Sequence, residues 1–183
     1  MPPWPILALQ GGTGSHNITL RLPRVRSTAV KSPFDEKWHQ RFLELTRVIA
    51  GWSKDPSRGV GCVIVSSGKQ ILATGFNGLP RGVEDRPDRL ERPVKYDLVV
   101  HAEMNAIIQC ARNGISPVGC VLYSSFFPCV SCAIAIVQAG ITAVVTLRPE
   151  DSDDHWLESI AKSRAVFEEA GVDFLEVDCE ARA

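Results

Sequence analysis

Residues 119–147, GCVLYSSFFPCVSCAIAIVQAGITAVVTL, decide the fold. Residues 119–124 and 141–147 are short apolar runs of strand composition, and Cys129 to about Ala139 between them has the length of a helix. Gly140 falls just past that helix, where a left-handed cap is wanted. The same unit repeats outward. A helix from His101 to about Asn113, followed by Gly114, leads into the first strand. A helix from about Asp154 to Ala170, followed by Gly171, leads from the second strand to a last one at 172–177. Alternation of this kind predicts parallel strands with helices packed on the sheet faces.

Upstream, Val60 to Val65 and Gln70 to Asn77 read as two strands of a hairpin, joined by the turn signal Ser66-Ser67-Gly68-Lys69. Before them Trp38, Phe42, Leu45, Val48, Ile49 and Trp52 recur at three- and four-residue spacing, which predicts a helix ending near Gly51 to Pro56. Helix, hairpin and three helix–strand units give a three-layer α/β/α sandwich around a five-stranded mixed sheet. Residues 80–97 lose periodicity, carry ten charged side chains with Pro87 and Pro93, and are expected to form a long surface loop.

At 183 residues and 45% apolar content the chain has enough material for one core. Residues 1–33 differ from the rest. Pro2, Pro3, Pro5, Pro23 and Pro33, with Gly11, Gly12 and Gly14, leave little helix or core, so a disordered extension is expected. Arg21, Arg24, Arg26 and Lys31 with no acid resemble a transit peptide, but the prolines spoil the amphipathic helix such a peptide needs. The domain expected at 34–183 then holds 16 basic and 21 acidic side chains, a net charge near −5. That balance argues against a polynucleotide partner, which calls for a basic groove. No apolar run approaches the roughly 20 residues that cross a bilayer. Six cysteines without framework spacing suit a reducing interior, and a cytoplasmic protein is expected.

The chemistry lies in His101-Ala102-Glu103 and Pro128-Cys129-Val130-Ser131-Cys132. One imidazole and two thiolates fill three corners of a tetrahedron, and a fourth corner left for water marks a catalytic rather than a structural zinc. Glu103 is too near His101 in sequence to be an easy fourth ligand, yet near enough to exchange protons with a water there. Alone, an H-x-E is common by chance and a C-x-x-C is often a structural half-site or redox pair. Cys110 and Cys120 are the rival ligands, but one falls in a helical pattern and the other opens a strand, where thiols are usually core.

These motifs resemble the zinc-dependent cytidine and deoxycytidylate deaminase superfamily. Within it, Ser53-Lys54-Asp55-Pro56-Ser57, Gly75-Phe76-Asn77-Gly78-Leu79-Pro80-Arg81-Gly82 and HAEMNAI at 101–107 resemble the deoxycytidylate (dCMP) deaminases. The likeness runs from about Trp38 to Val177. It implies a cytidine deaminase-like fold, zinc held by His101, Cys129 and Cys132, and Glu103 as the proton shuttle in hydrolysis of dCMP to dUMP and ammonia. It further implies Asn77 at the sugar, the Ala102 N–H at the base carbonyl, and carbonyls of the Ser124–Phe126 stretch, Ser125 and Phe126 included, at the exocyclic amine. Arg81 and Lys95 are the cations expected at a 5′-phosphate. The Lys54–Asp55 segment resembles part of a dCTP/dTTP effector site, and the Arg112 segment lies near subunit contacts in a family that forms dimers to hexamers. Deaminases of cytidine or guanine are the rival enzymes, and a non-catalytic zinc-binding domain is the rival outside catalysis. The helix expected at 154–170 points away from free-cytidine deaminases, and a structural site has no use for Glu103.

Overall fold

The structure, a computed structural model, describes residues 33–149 and 154–178, without the side chains of Asp154 and His155. The extension expected at 1–33 lies outside the described residues but for Pro33. Helix α1 (Glu36–Ala50) starts at Asp35, whose carboxylate accepts the Trp38 N–H. The hairpin follows as β1 (Gly61–Val65) and β2 (Ile71–Phe76), antiparallel as expected. The 80–97 stretch is not loop throughout: it contains the single-turn helix α2 (Pro87–Leu90) and the start of α3 (Lys95–Leu98). Pro87 opens the first, where a missing N–H costs nothing, and turns this short bury too few apolar residues to show a period.

Helix α4 (Ala102–Arg112), β3 (Val121–Ser124), α5 (Val130–Gln138), β4 (Ala143–Leu147), α6 (Asp154–Ala170) and β5 (Asp173–Val177) complete the alternation. The sheet order is β2-β1-β3-β4-β5. Strand β1 pairs antiparallel with β2 and β3, whereas β3, β4 and β5 run parallel. Gly114, Gly140 and Gly171 all take positive φ, as their cap positions demand. One sheet face packs Val63, Val65, Tyr123 and Val145 against Phe42, Leu43 and Ile49 of α1. The other packs Ile64, Leu122 and Val144 against α4, α5 and α6. The three-layer sandwich is the expected one. Among the described residues no helix is long and apolar enough to cross a membrane.

Two glycines bring helices onto the sheet at backbone distance. A Cβ on Gly75 would stand 2.1 Å from the Ala102 carbonyl oxygen and 2.6 Å from the Ala106 nitrogen, and one on Gly61 would stand 2.0 Å from the Thr46 oxygen. Gly75 thereby sets the height of α4 above β2, and the Asn105 amide donates to the Phe76 carbonyl at 2.8 Å to set its register. Gly75→Ala is expected to destabilise the fold by about 3 kcal/mol or more, because rigid backbone must move. Gly68→Ala, whose Cβ would meet only the Ser66 hydroxyl at 3.7 Å, should change stability by less than about 1 kcal/mol. Chemical denaturation midpoints measure both. Equal midpoints would contradict the close-approach role of Gly75.

Candidate active site

The carboxyl ends of β2 and β3 and the start of β1 meet at one edge of the sheet, where Gly61 pairs with Phe76 and Cys62 with Ser124. Helices α4 and α5 begin beside this edge. Their N-cap residues are His101 and Cys129, both extended in backbone and neither capping its own helix with its side chain. The side chains turn toward each other instead. His101 Nδ1 lies 3.3 Å from Cys129 Sγ and 3.5 Å from Cys132 Sγ, and the three donor atoms all lie within 4.8 Å of one another. A tetrahedral zinc with Zn–N and Zn–S bonds of about 2.0 and 2.3 Å separates such N and S ligands by about 3.6 Å. The donor set therefore fits zinc in both chemistry and spacing.

The electrostatics agree. Hydrogen bonding from Cys132 and then from His101 overcomes burial to hold the Cys129 thiol down at about 4, while the Cys132 thiol, sharing that bond and buried, is pushed up. The hydrogen bond with Cys129 raises His101 against the effect of burial. The start of α5 favours the thiolate form of Cys129 in the same direction. Cys110 and Cys120 are buried in the core with raised thiols, as expected.

Glu103 is 3% exposed and rides the first turn of α4. Burial raises its pKa, only partly offset by hydrogen bonding and by the His101 charge. The Ser124 hydroxyl donates to its Oε1 at 3.1 Å, a contact that sequence reading missed because nothing local links the two. That hydroxyl holds one of the two carboxylate oxygens.

A cavity of about 310 Å³ opens onto His101, Glu103 and Cys129. That is at the small end of ligand sites. Ala102, fully buried, lies in its wall, and as the first helical residue its N–H has no acceptor within α4. Asn77 is also in the wall. Its Oδ1 accepts the Val60 N–H at 2.7 Å, and its amide donates to the Arg58 carbonyl at 2.9 Å and to Asp55 at 3.3 Å. Asp55, expected in an effector segment, lines the same cavity, and Lys95 Nζ binds both its oxygens at 2.7 and 2.8 Å. Burial raises the Asp55 carboxyl, but Lys95 and the Ser57 and Arg58 N–H groups more than reverse this, so it stays below the usual range.

The other expected site residues scatter. Arg81 is exposed and is not among the residues lining the cavity. Ser125 uses its side chain to accept the Gly61 N–H at 3.0 Å, which fixes the β3 end against β1. Lys54 is exposed and paired with Asp85, and Arg112 is exposed at the end of α4. Phe126 and Phe127 both line the cavity, and Phe127, 1% exposed, packs its ring against Phe167 and Phe174.

Two wall residues, Trp156 and Arg58, had no signal in the sequence, and a third, Arg92, was only one of several cations in the 80–97 stretch. Trp156 of α6 places its ring 6.2 Å from His101 and 6.4 Å from Phe126, edge-on to both. Arg58 lays its guanidinium 4.4 Å above the Phe126 ring, and Arg92 lies 5.9 Å from the Tyr96 ring. All three line the cavity.

A family model described as the cytidine and deoxycytidylate deaminase zinc-binding region matches residues 36–148. An Aliivibrio fischeri protein described as an uncharacterized deaminase in the luxG 3′ region is 41% identical over 140 residues, covering 75% of this chain and 91% of that protein. Human deoxycytidylate deaminase is 36% identical over 146 residues, covering 75% of this chain and 78% of its own. The cyanophage S-TIM5 dCMP deaminase, solved with dCMP and dUMP, shares the fold with a TM-score of 0.63 at 24% identity, covering 79% of this chain and 99% of its own. The chain belongs to the cytidine and deoxycytidylate deaminase family, zinc-binding enzymes of hydrolytic deamination.

Proposed function

We propose that this deaminase converts dCMP to dUMP and ammonia, supplying dUMP for thymidylate synthesis. The reading rests on one cavity that has a buried acid beside a zinc-type donor set at its inner end and arginines among its outer residues. Relatives named deoxycytidylate deaminase support the substrate. When bound by His101, Cys129 and Cys132, zinc supplies Lewis acidity that lets water ionise near neutral pH. Glu103 takes a proton from the attacking water, while the Ser124 hydroxyl holds its Oε1. As the water oxygen bonds to C4 of cytosine, Glu103 delivers that proton to ring N3. It then carries the second water proton to the exocyclic nitrogen, the C4–N bond breaks, and ammonia leaves.

The Ala102 N–H donates to the base carbonyl, backbone carbonyls of the 124–126 stretch accept from the amine, and Asn77 meets the sugar through the second lone pair of Oδ1. A homo-oligomer of two to six chains, dCTP and dTTP acting at the Lys54–Asp55 segment, subunit contacts near Arg112, and a cytoplasmic location belong to the same reading.

A panel of dCMP, CMP, deoxycytidine, dCTP and guanine, followed by ultraviolet absorbance and ammonia release, tests it. Two charge-assisted hydrogen bonds to phosphate, at about 1.5–3 kcal/mol each, predict a kcat/KM for dCMP roughly 10³ above that for deoxycytidine. Equal efficiency on the two would reject the nucleotide in favour of a nucleoside substrate.

A further inference from the structure

We infer that Ser159 of α6 is a positioning residue for the metal donors, its hydroxyl holding the peptide group that aims the Cys129 sulfur at the site. The inference rests on the zinc-type donor set and holds whichever base is deaminated. Val130 is the first residue of α5, so its N–H has no acceptor within the helix. The residue before a helix commonly satisfies part of this end with a side-chain oxygen. Here that residue is Cys129, whose sulfur is committed to the donor cluster, 3.3 Å from His101 Nδ1. An acceptor comes from another helix instead: Ser159 Oγ takes the Val130 N–H at 3.0 Å across 29 positions of sequence.

That contact acts on a metal donor because the Val130 nitrogen and the Cys129 carbonyl belong to one peptide group. The carbonyl accepts the Ala133 N–H at 2.8 Å, and the N–H of the same plane donates to Ser159. Both ends of the plane are held, which fixes ψ of Cys129 at 167° and with it the direction of the bond to the sulfur-bearing carbon. Val130 is not among the residues lining the cavity, so this N–H serves the helix start rather than a ligand there.

Helix α6 also meets the other half of the cluster. Trp156, three residues before Ser159 and on the same helix face, sets its ring edge-on to His101 at 6.2 Å. Ile160 and Phe167, 1% and 0% exposed, seat α6 in the core that α4 and α5 share. The two donor helices are therefore steadied from a third whose own seat is buried.

The test is the rate at which zinc passes from the loaded full chain to an excess of a chelating dye, read together with zinc content and thermal midpoint. Outer partners of metal ligands are typically worth about 10- to 100-fold in affinity, so Ser159→Ala is expected to release zinc at least about 10-fold faster. Alanine is the better helix former, so α6 itself is not weakened. Ser159→Thr and Ser159→Val share a shape and differ in the hydroxyl: the first should stay within about threefold of the parent, and the second should match Ser159→Ala. That pair decides the matter even if the alanine variant fails to fold. Ser163→Ala is the comparison for a purely structural serine, since its hydroxyl, in a residue 0% exposed, donates to the Ser159 carbonyl at 2.9 Å. Its loss should lower the thermal midpoint and leave zinc release unchanged. If the parent and a folded Ser159→Val release zinc at one rate, the inference is overturned and the donor set stands. Equal acceleration in Ser163→Ala overturns it too, because the effect is then one of stability. A parent that takes up no zinc overturns both the inference and the donor set.

Discussion

Glu103→Gln is expected to keep zinc and fold and to lose at least 10³ of kcat. The amide fills the volume of the acid in a position that is 3% exposed, so packing is preserved. It can still accept the Ser124 hydroxyl through its carbonyl oxygen, which retains the 3.1 Å contact. What it cannot do is take up and release a proton. General acid–base groups are worth about 10² to 10⁴ each, and this residue serves more than one transfer, which places the loss toward the upper end or beyond. Steady-state rates on dCMP, with zinc measured in the same sample, decide the matter. Activity within tenfold of the parent would show that another group moves the protons. Ser124→Ala makes a graded companion: it leaves Oε1 without its donor and should reduce kcat by much less than the loss of the acid.

The zinc-type donor set and the acid beside it were legible in the sequence because their spacing is local. His101 and Glu103 share one helix start, and Cys129 and Cys132 share another. The fold was legible for a similar reason, since each strand and helix carries its own period and its own closing glycine. The outer wall of the cavity was not. Trp156 and Arg58 join Phe126, which the sequence names, only when α6, the β3 end and the 53–60 segment pack, and each of the two reads in isolation as an ordinary core or surface residue. Lys95 shows the same limit from the other side. In sequence it is one of ten charges in a stretch without periodicity, and its partner Asp55 is 40 positions away, so nothing local reveals that the pair is buried and mutually neutralised. Arg81, chosen for its place in a motif, is exposed outside the cavity because motif adjacency does not set side-chain direction.

Cys132→Ala should take the protein from about one zinc per chain to less than a tenth, and activity should fall with the metal. Cys132 is 2% exposed, and its sulfur lies 3.5 Å from His101 Nδ1 and supplies one of three donors, so its removal leaves an imidazole and a single thiolate. Loss of even an outer-shell partner typically costs 10- to 100-fold in metal affinity, and loss of a direct ligand exceeds that. The variant also removes a proton from the site's exchange with metal, because a thiol must ionise to bind. Zinc affinity should therefore depend less steeply on pH in Cys132→Ala than in the parent. Cys120→Ala is the proper comparison, being a buried thiol 4% exposed in the same core and outside the donor cluster. It is expected to hold a full equivalent of zinc while losing some stability to the small cavity it creates. Metal analysis of the three proteins, purified alike, gives a clear decision. If Cys132→Ala retained its zinc and Cys120→Ala did not, the donor set would have to be redrawn around the core thiols, and the catalytic reading of Glu103 would lose its metal partner.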